Sequence, residues 1–548
     1  MNARSTIGLL TQALHGRAAG LGRCGVVAAA ALHLCVPAAA QVGPTEPRTP
    51  AERVNFERTS AHDELLAYLF EVQSRSDRML VEELAVTNEG RVMPLVILGA
   101  PPPGDPGAAF FSGKPTVFFT GSVHGNERAG KEGTQILIRE LALGRLRPLL
   151  DRVNVLIVPS LNPDGAERPG RTNSLGYDMN RDFIVAETPE ISAVLEQILT
   201  RWWPDVYVDV HNGGAYPYNV TYQATLHPGA DAELVAFARG PMHDAVAATL
   251  AEKDMKMFWY SGPRRDQETG EYVWTTTEPW ARKQHTYGGL QNMVTLLFEI
   301  PGRWTLAQQA DNARTAMEGL LRFVADNAAA TRQVVLDARR RAVAVPAEVV
   351  IEVEAANHPE PERFLVMEGG GRGGRGGGAG GAQAAPQERE VTGYVRTLYV
   401  PTETRPAAWA YAFDGRLDDL AALLRRHAIT VEQLAEPATA DVERYRLTQL
   451  EWDTQPYQNH LLASADVELA SENAFTLPAG TYVVRSAQAA GRLVGQILEP
   501  DTEDSILAWN FLDHSLSGAR NAVSAGRVVF LPIYRIPRPA AIKALVVR

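Results

Sequence analysis

In the stretch Phe118-Phe119-Thr120-Gly121-Ser122-Val123-His124-Gly125-Asn126-Glu127, an apolar run ends in a glycine-containing turn and passes into a helical pattern over Gly130–Leu143. Short apolar, β-branched runs of the same kind recur at Pro115–Thr120, Val153–Pro159, Val206–Val210 and Met293–Phe298. Helical patterns at Pro189–Arg201, Ala230–Ala251 and Leu306–Val324 are interleaved with them. Strands alternating with helices predict an α/β fold, a mixed, mostly parallel sheet flanked by helices. Upstream, Glu64–Val72 reads as a helix. Met79–Val86 and Val92–Leu98 read as strands around the Asn88-Glu89-Gly90 turn. In such sheets ligands sit beyond the carboxyl ends of the strands, where His124 and Glu127 fall.

A histidine and a glutamate three apart in a tightened turn can offer an imidazole nitrogen and a carboxylate oxygen to one metal ion. Alone the pair is a weak signal. His211 follows a buried strand in Val206-Tyr207-Val208-Asp209-Val210-His211-Asn212-Gly213-Gly214. By itself it reads as a satisfied strand-end histidine. With His124 and Glu127 it completes two histidines and one carboxylate, a set that leaves the fourth zinc position open, as catalytic sites do. Between them lie the turn Asn162-Pro163-Asp164-Gly165 and the polar string from Arg171 to Arg181. Arg171 and Arg181 are candidates to grip anions, with Arg168 a nearby competitor for the role of Arg171. Asp178 is a candidate to accept a hydrogen bond from a ligating imidazole and fix its tautomer. Glu299 ends the last apolar strand, either as a strand-end acid or as a general base aimed into the cleft.

A chain of 548 residues exceeds what one hydrophobic core usually supports, so two domains are expected. A net charge of −11 argues against a nucleic-acid partner, which needs a basic face. Residues 1–40 carry Arg4, Arg17 and Arg23 without an acid, an apolar run from Gly25 to Val36, and Ala38-Ala39-Ala40 before Gln41. That pattern predicts a cleaved signal peptide; the apolar run is shorter than the roughly 20 residues of a membrane span. Cys24 and Cys35 both lie within it, so the mature chain has no disulfide, no cysteine zinc site and no thiol catalysis. Losing those three arginines takes the net charge from −11 to −14. An acidic, cysteine-free exported chain fits a bacterial envelope, periplasmic or extracellular location, with no integral membrane segment left after signal cleavage. The expected organisation is a signal at 1–40, a spacer at 41–54, a catalytic domain at 55–330 and an accessory α+β or β-rich region at 340–548. The last holds a glycine-rich loop at 369–386, which cannot bury apolar surface. Strands are expected there at Val349–Glu354, Tyr394–Val400, Thr481–Val484 and Val528–Leu531, with a helix at Leu417–His427.

The order His124/Glu127, Asn162–Gly165, Arg171, Asp178–Arg181, His211, Glu299 resembles the zinc carboxypeptidase family over roughly residues 55 to 330. Metallocarboxypeptidases are themselves a standard instance of the two-histidine, one-glutamate zinc site. The resemblance implies one Zn²⁺ on His124, Glu127 and His211, and a peptide substrate with a free C-terminal carboxylate. It implies that Arg171 polarises the scissile carbonyl, that Asn180 and Arg181 hold the terminal carboxylate, and that Glu299 serves a zinc-bound water as general base and then acid. The family also has a mobile tyrosine some twenty positions before its catalytic acid. Tyr287, only twelve positions before Glu299, is the substrate-capping candidate here. Two other functions stay open: an amidohydrolase acting on a cell-wall peptide or other amide, and a non-catalytic binding protein on the same scaffold.

Overall fold

The computed structural model describes residues 46–344, 348–368 and 387–547. The expected signal at 1–40, the first part of the spacer and the glycine-rich loop at 369–386 lie outside the described residues. Ten strands come first in chain order: β1 (Met79–Val86), β2 (Val92–Leu98), β3 (Thr116–Gly121), β4 (Asn154–Val158), β5 (Val206–His211), β6 (Val220–Ala224), β7 (Met257–Trp259), β8 (Gly262–Arg265), β9 (Tyr272–Thr275) and β10 (Val294–Glu299). Eight of them form one sheet in the order β1-β2-β4-β3-β5-β10-β6-β7. Its centre, β4-β3-β5-β10, is parallel, and β1, β2 and β6 join antiparallel. Mixed sheet and flanking helices are as the alternation of runs predicts.

The central strands are buried along their whole length because both faces are covered. Alternate side chains go to opposite faces. Phe118, Leu156 and Tyr207 enter one core, while Val117, Phe119 and Val208 enter the other. The helices Ala129–Ala142 and Leu306–Asp326 cover the second core, which holds Leu137, Ala316 and Leu320. The first core continues into the C-terminal region through Tyr411, Leu424, Leu493 and Trp509.

That region is β-rich. Seven strands form an antiparallel sheet whose longest pair is the hairpin Ala438–Trp452 and Ala463–Leu477. The expected strand at Tyr394–Val400 is divided at Thr397, ending Gln387–Arg396 and beginning Leu398–Pro406. Gln387–Arg396 pairs in parallel with β9, so a four-stranded sheet takes strands from both halves of the chain. Glu46–Arg548 accordingly packs as one compact unit. The end of the expected spacer is structured too. Thr49 caps the helical turn Pro50–Arg53 in a capping box, and Arg139 donates to Glu52 at 2.9 Å. Among the described residues no helix is long and apolar enough to cross a membrane.

Candidate active site

The site is assembled at the carboxyl ends of β3, β5 and β10. After β3 the chain turns so tightly that Gly125 lies on Gly165; a Cβ on Gly125 would stand 2.2 Å from the Gly165 carbonyl carbon. The Asn-Pro-Asp-Gly segment is the brace of this turn. Asn162 Oδ1 accepts from the Gly165 N–H at 2.8 Å, and its amide donates to the carbonyls of Val123 and Arg171, each at 3.3 Å. Asp164, wholly buried, accepts from the Thr87 hydroxyl at 2.7 Å, the Ser174 hydroxyl at 2.9 Å and the Arg91 guanidinium at 2.8 Å. Asn212 closes the other side. Its Oδ1 accepts from the N–H groups of Arg128 and Ala129, capping the helix that follows Glu127, and its own N–H donates to Glu127 Oε2 at 3.0 Å.

These supports bring His124, Glu127 and His211 together, with one ligand atom from each within 4.8 Å of the others and all three residues buried. His124 Nδ1 stands 2.7 Å from Glu127 Oε1, and His211 Nδ1 stands 2.8 Å from Glu127 Oε2. The far nitrogens face carboxylates, His124 Nε2 to Asp178 Oδ1 at 2.9 Å and His211 Nε2 to Asp209 Oδ2 at 2.7 Å. An ionised carboxylate only accepts, so each Nε2 carries a proton, which leaves Nδ1 as the nitrogen that would face a metal ion once its own proton is lost. The two Nδ1 atoms are 3.2 Å apart. Ligands 2.0–2.1 Å from a tetrahedral ion would be about 3.3 Å apart, close to the Nδ1–Nδ1 spacing, and two imidazoles with a carboxylate are a donor set suited to zinc. Without a cation the cluster holds protons instead. Burial opposes a charge on His211, but Asp209 and Glu127 outweigh it and raise its pKa. Burial likewise works against the Glu127 carboxylate, yet the two imidazoles keep its pKa far below the usual range.

The cleft around the cluster has a volume of about 120 Å³ and is also lined by Arg171, Asn180, Arg181, Tyr260, Lys283, His285 and Glu299. Strand register places Glu299, the last residue of β10, beside His211, the last of β5. Burial, with the Glu127 charge adding, raises the Glu299 pKa to about 7 against the pull of the imidazoles. Its Oε2 has no hydrogen-bond partner, and the Tyr260 hydroxyl interacts with the carboxyl group. Oε2 presses on Gly213, where a Cβ would come within 2.3 Å of it. Arg171 donates to Asp178 Oδ2 at 2.8 Å and lies 3.5 Å from Glu127, whereas Arg168 pairs with Glu89 at 2.6 Å and does not line the cleft. Asn180 and Arg181 stand together, the guanidinium donating to the Asn180 carbonyl at 2.8 Å. A larger cavity, of about 740 Å³, lies between the two halves of the chain. It holds none of the histidine–glutamate cluster; the chemistry, and not the volume, picks out the smaller cleft.

One expectation needs correcting. Tyr287 does not line the cleft: it is wholly buried, and its hydroxyl meets His427 Nδ1 of the C-terminal region at 2.8 Å. A tyrosine locked into a core cannot swing over a substrate. Sequence reading also passed over Asp209, Asn212, Tyr260, Lys283 and His285. Asp209 had a signal, because residues two apart in a strand share a face and His211 was already a candidate. Tyr260 carried none, since the edge strand β7 that delivers it is only three residues long.

Residues 65–261 match the family model described as zinc carboxypeptidase. Over that span the chain is similar to a zinc carboxypeptidase domain, which supports a hydrolase of the metallocarboxypeptidase class. The match contains His124, Glu127, Arg171, Asn180, Arg181 and His211, while Glu299 lies beyond it. Among curated relatives, carboxypeptidase 2 of Trichophyton tonsurans is 23% identical over 447 residues, covering 78% of this chain and 79% of that protein. Carboxypeptidase D of Mus musculus is 34% identical over 128 residues, covering 20% of this chain and 9% of the other. Among solved structures, the metallo-carboxypeptidase from Burkholderia cenocepacia has 23% identity and a TM-score of 0.40, covering 48% of this chain and 69% of that one.

Proposed function

We propose that the chain removes the C-terminal residue of peptides, with one zinc ion held by His124 Nδ1, Glu127 and His211 Nδ1. The observation that carries this reading is the convergence of that ligand set, the strand-end acid Glu299 and the Asn180–Arg181 pair in one cleft. Zinc held there would lower the pKa of a water towards ~7 and polarise a carbonyl oxygen. The chain's own residues do the rest. Arg181 offers a planar fork of donors and Asn180 an amide, a combination suited to a terminal carboxylate. Arg171 stands beside Glu127 and Asp178, and its role in this reading is to supply positive charge as the scissile carbonyl oxygen becomes anionic. Glu299 accepts the proton of the attacking water at its unpartnered Oε2 and delivers it to the leaving amine. Asp178 and Asp209 hold the two imidazoles in the ligating tautomer.

Glu299→Gln tests the reading: the variant should bind zinc as the wild type does and lose most peptide turnover. Hydrolysis at the wild-type rate would remove Glu299 from the mechanism. We further infer export, supported by the basic start and the Ala38-Ala39-Ala40 pattern of the sequence. Terminal sequencing of protein from the producing cell should then begin at Gln41, and an intact Met1 would refute it.

A further inference from the structure

Among the described residues lining the cleft there are two carboxylates, and both have roles: Glu127 in the ligand cluster and Glu299 as the acid. The cations number three. In the proposed reading Arg171 and Arg181 serve the carbonyl and the terminal carboxylate, which leaves Lys283 without a task. Lys283 is 3% exposed. Its Nζ donates to the Glu278 carbonyl at 2.8 Å and to Glu278 Oε2 at 3.2 Å, two of three available donors. The Glu278 side chain is more than half exposed, so water screens the neutralisation it offers. Beside Lys283 in the cleft stands His285, 1% exposed, with neither ring nitrogen hydrogen-bonded. Orphaned buried nitrogens carry a desolvation penalty that a bound ligand can relieve.

We propose that Lys283 and His285 form the pocket for the side chain of the substrate's last residue, and that the side chain they select is a carboxylate. The inference rests on the carboxypeptidase reading above. A C-terminal glutamate or aspartate, its main-chain carboxylate on Arg181, brings a second carboxylate to the ammonium of Lys283 and an N–H of His285. Burial draws the Lys283 pKa down only to about 8, so the ammonium is still charged at neutral pH. Burial, with the charges of Lys283 and Arg181, keeps His285 neutral, leaving one ring N–H to donate. A lysine or arginine ending meets no unassigned acid in this cleft. An aliphatic ending leaves the His285 nitrogens desolvated without a partner and offers the Lys283 ammonium nothing beyond Glu278, the circumstance in which polar pockets discriminate strongly.

Zinc-loaded full-length protein should be assayed on peptides differing only in the last residue: Glu, Asp, Gln, Leu, Phe and Lys. The expected result is a kcat/KM for Glu at least about tenfold above that for Gln or Leu. In Lys283→Gln the Glu-to-Gln ratio should collapse towards one, while Lys283→Arg keeps a preference for Glu. The wild-type profile decides the matter even if a variant is poorly folded. Cleavage of the series with a flat profile, or with Leu, Phe or Lys favoured, overturns the acidic pocket and leaves the carboxypeptidase reading standing. No cleavage of any member overturns that reading, and this inference with it.

Discussion

Replacing Asp209 by asparagine isolates the support of one ligand from the ligand itself. Asp209 is wholly buried, with Oδ2 2.7 Å from His211 Nε2 and Oδ1 accepting the Thr120 hydroxyl at 2.8 Å. Asparagine has the same shape. It can still offer its oxygen to His211 and turn its amide towards Thr120, whose hydroxyl also accepts. What is lost is the negative charge that makes the His211 contact a charge-assisted hydrogen bond, roughly twice as strong as a neutral one. Supports of this kind are worth about 10- to 100-fold in metal affinity, or about 1.4–2.8 kcal/mol. Asp178 on His124 is less buried and shared with Arg171, so Asp178→Asn should fall at the lower end of that range. The assay is competition for zinc with a chromophoric chelator, alongside a thermal melt to establish that the variant is folded. A folded Asp209→Asn chain with wild-type zinc affinity would refute the idea that the buried carboxylate tunes the ligand.

Two further outcomes follow from the geometry. Gly213→Ala puts a methyl where Glu299 Oε2 now lies, so the acid must shift; zinc content should be kept while kcat/KM falls about 100-fold. Acid stability should report on His427, fully buried against Tyr287 and the Ile184 carbonyl, whose pKa burial lowers from 6.5 to about 4. The unfolded chain takes up this proton below pH 6.5 and the folded chain only below about 4. Its share of stability is thus full above pH 6.5, declines through that window, and amounts to about 3 kcal/mol when fully lost. Chemical denaturation of wild type and His427→Gln at pH 7 and pH 4 should show the wild type losing more, by up to that amount; equal losses would refute the buried neutral histidine.

The central sheet was legible because strands covered on both faces become short continuous apolar runs, and Val206-Tyr207-Val208 or Thr295-Leu296-Leu297-Phe298 can be little else. The ligand candidates were legible for a related reason: polar residues directly after such runs stand at the strand ends. The long hairpin Ala438–Trp452 and Ala463–Leu477 was not seen. Register shifts between Ala440 and Val442 and between Leu447 and Gln449 break the alternation that would announce it. Tyr287 misled because spacing along the chain cannot tell a residue facing the cleft from one facing His427 across the C-terminal region. Lys283 and His285 were invisible for the opposite reason. They lie on a buried segment whose tie to the cleft is tertiary, the Gln284 N–H donating to Asn180 Oδ1 at 2.9 Å.

The most direct measurement of the central claim compares a peptide with a free C-terminus and its C-terminally amidated twin, using protein stripped by chelation and then titrated with zinc. Release of the last amino acid from the free peptide alone, rising to a plateau at one zinc per chain, is the predicted result. Equal cleavage of both peptides, or release that persists undiminished in the stripped protein, would contradict it.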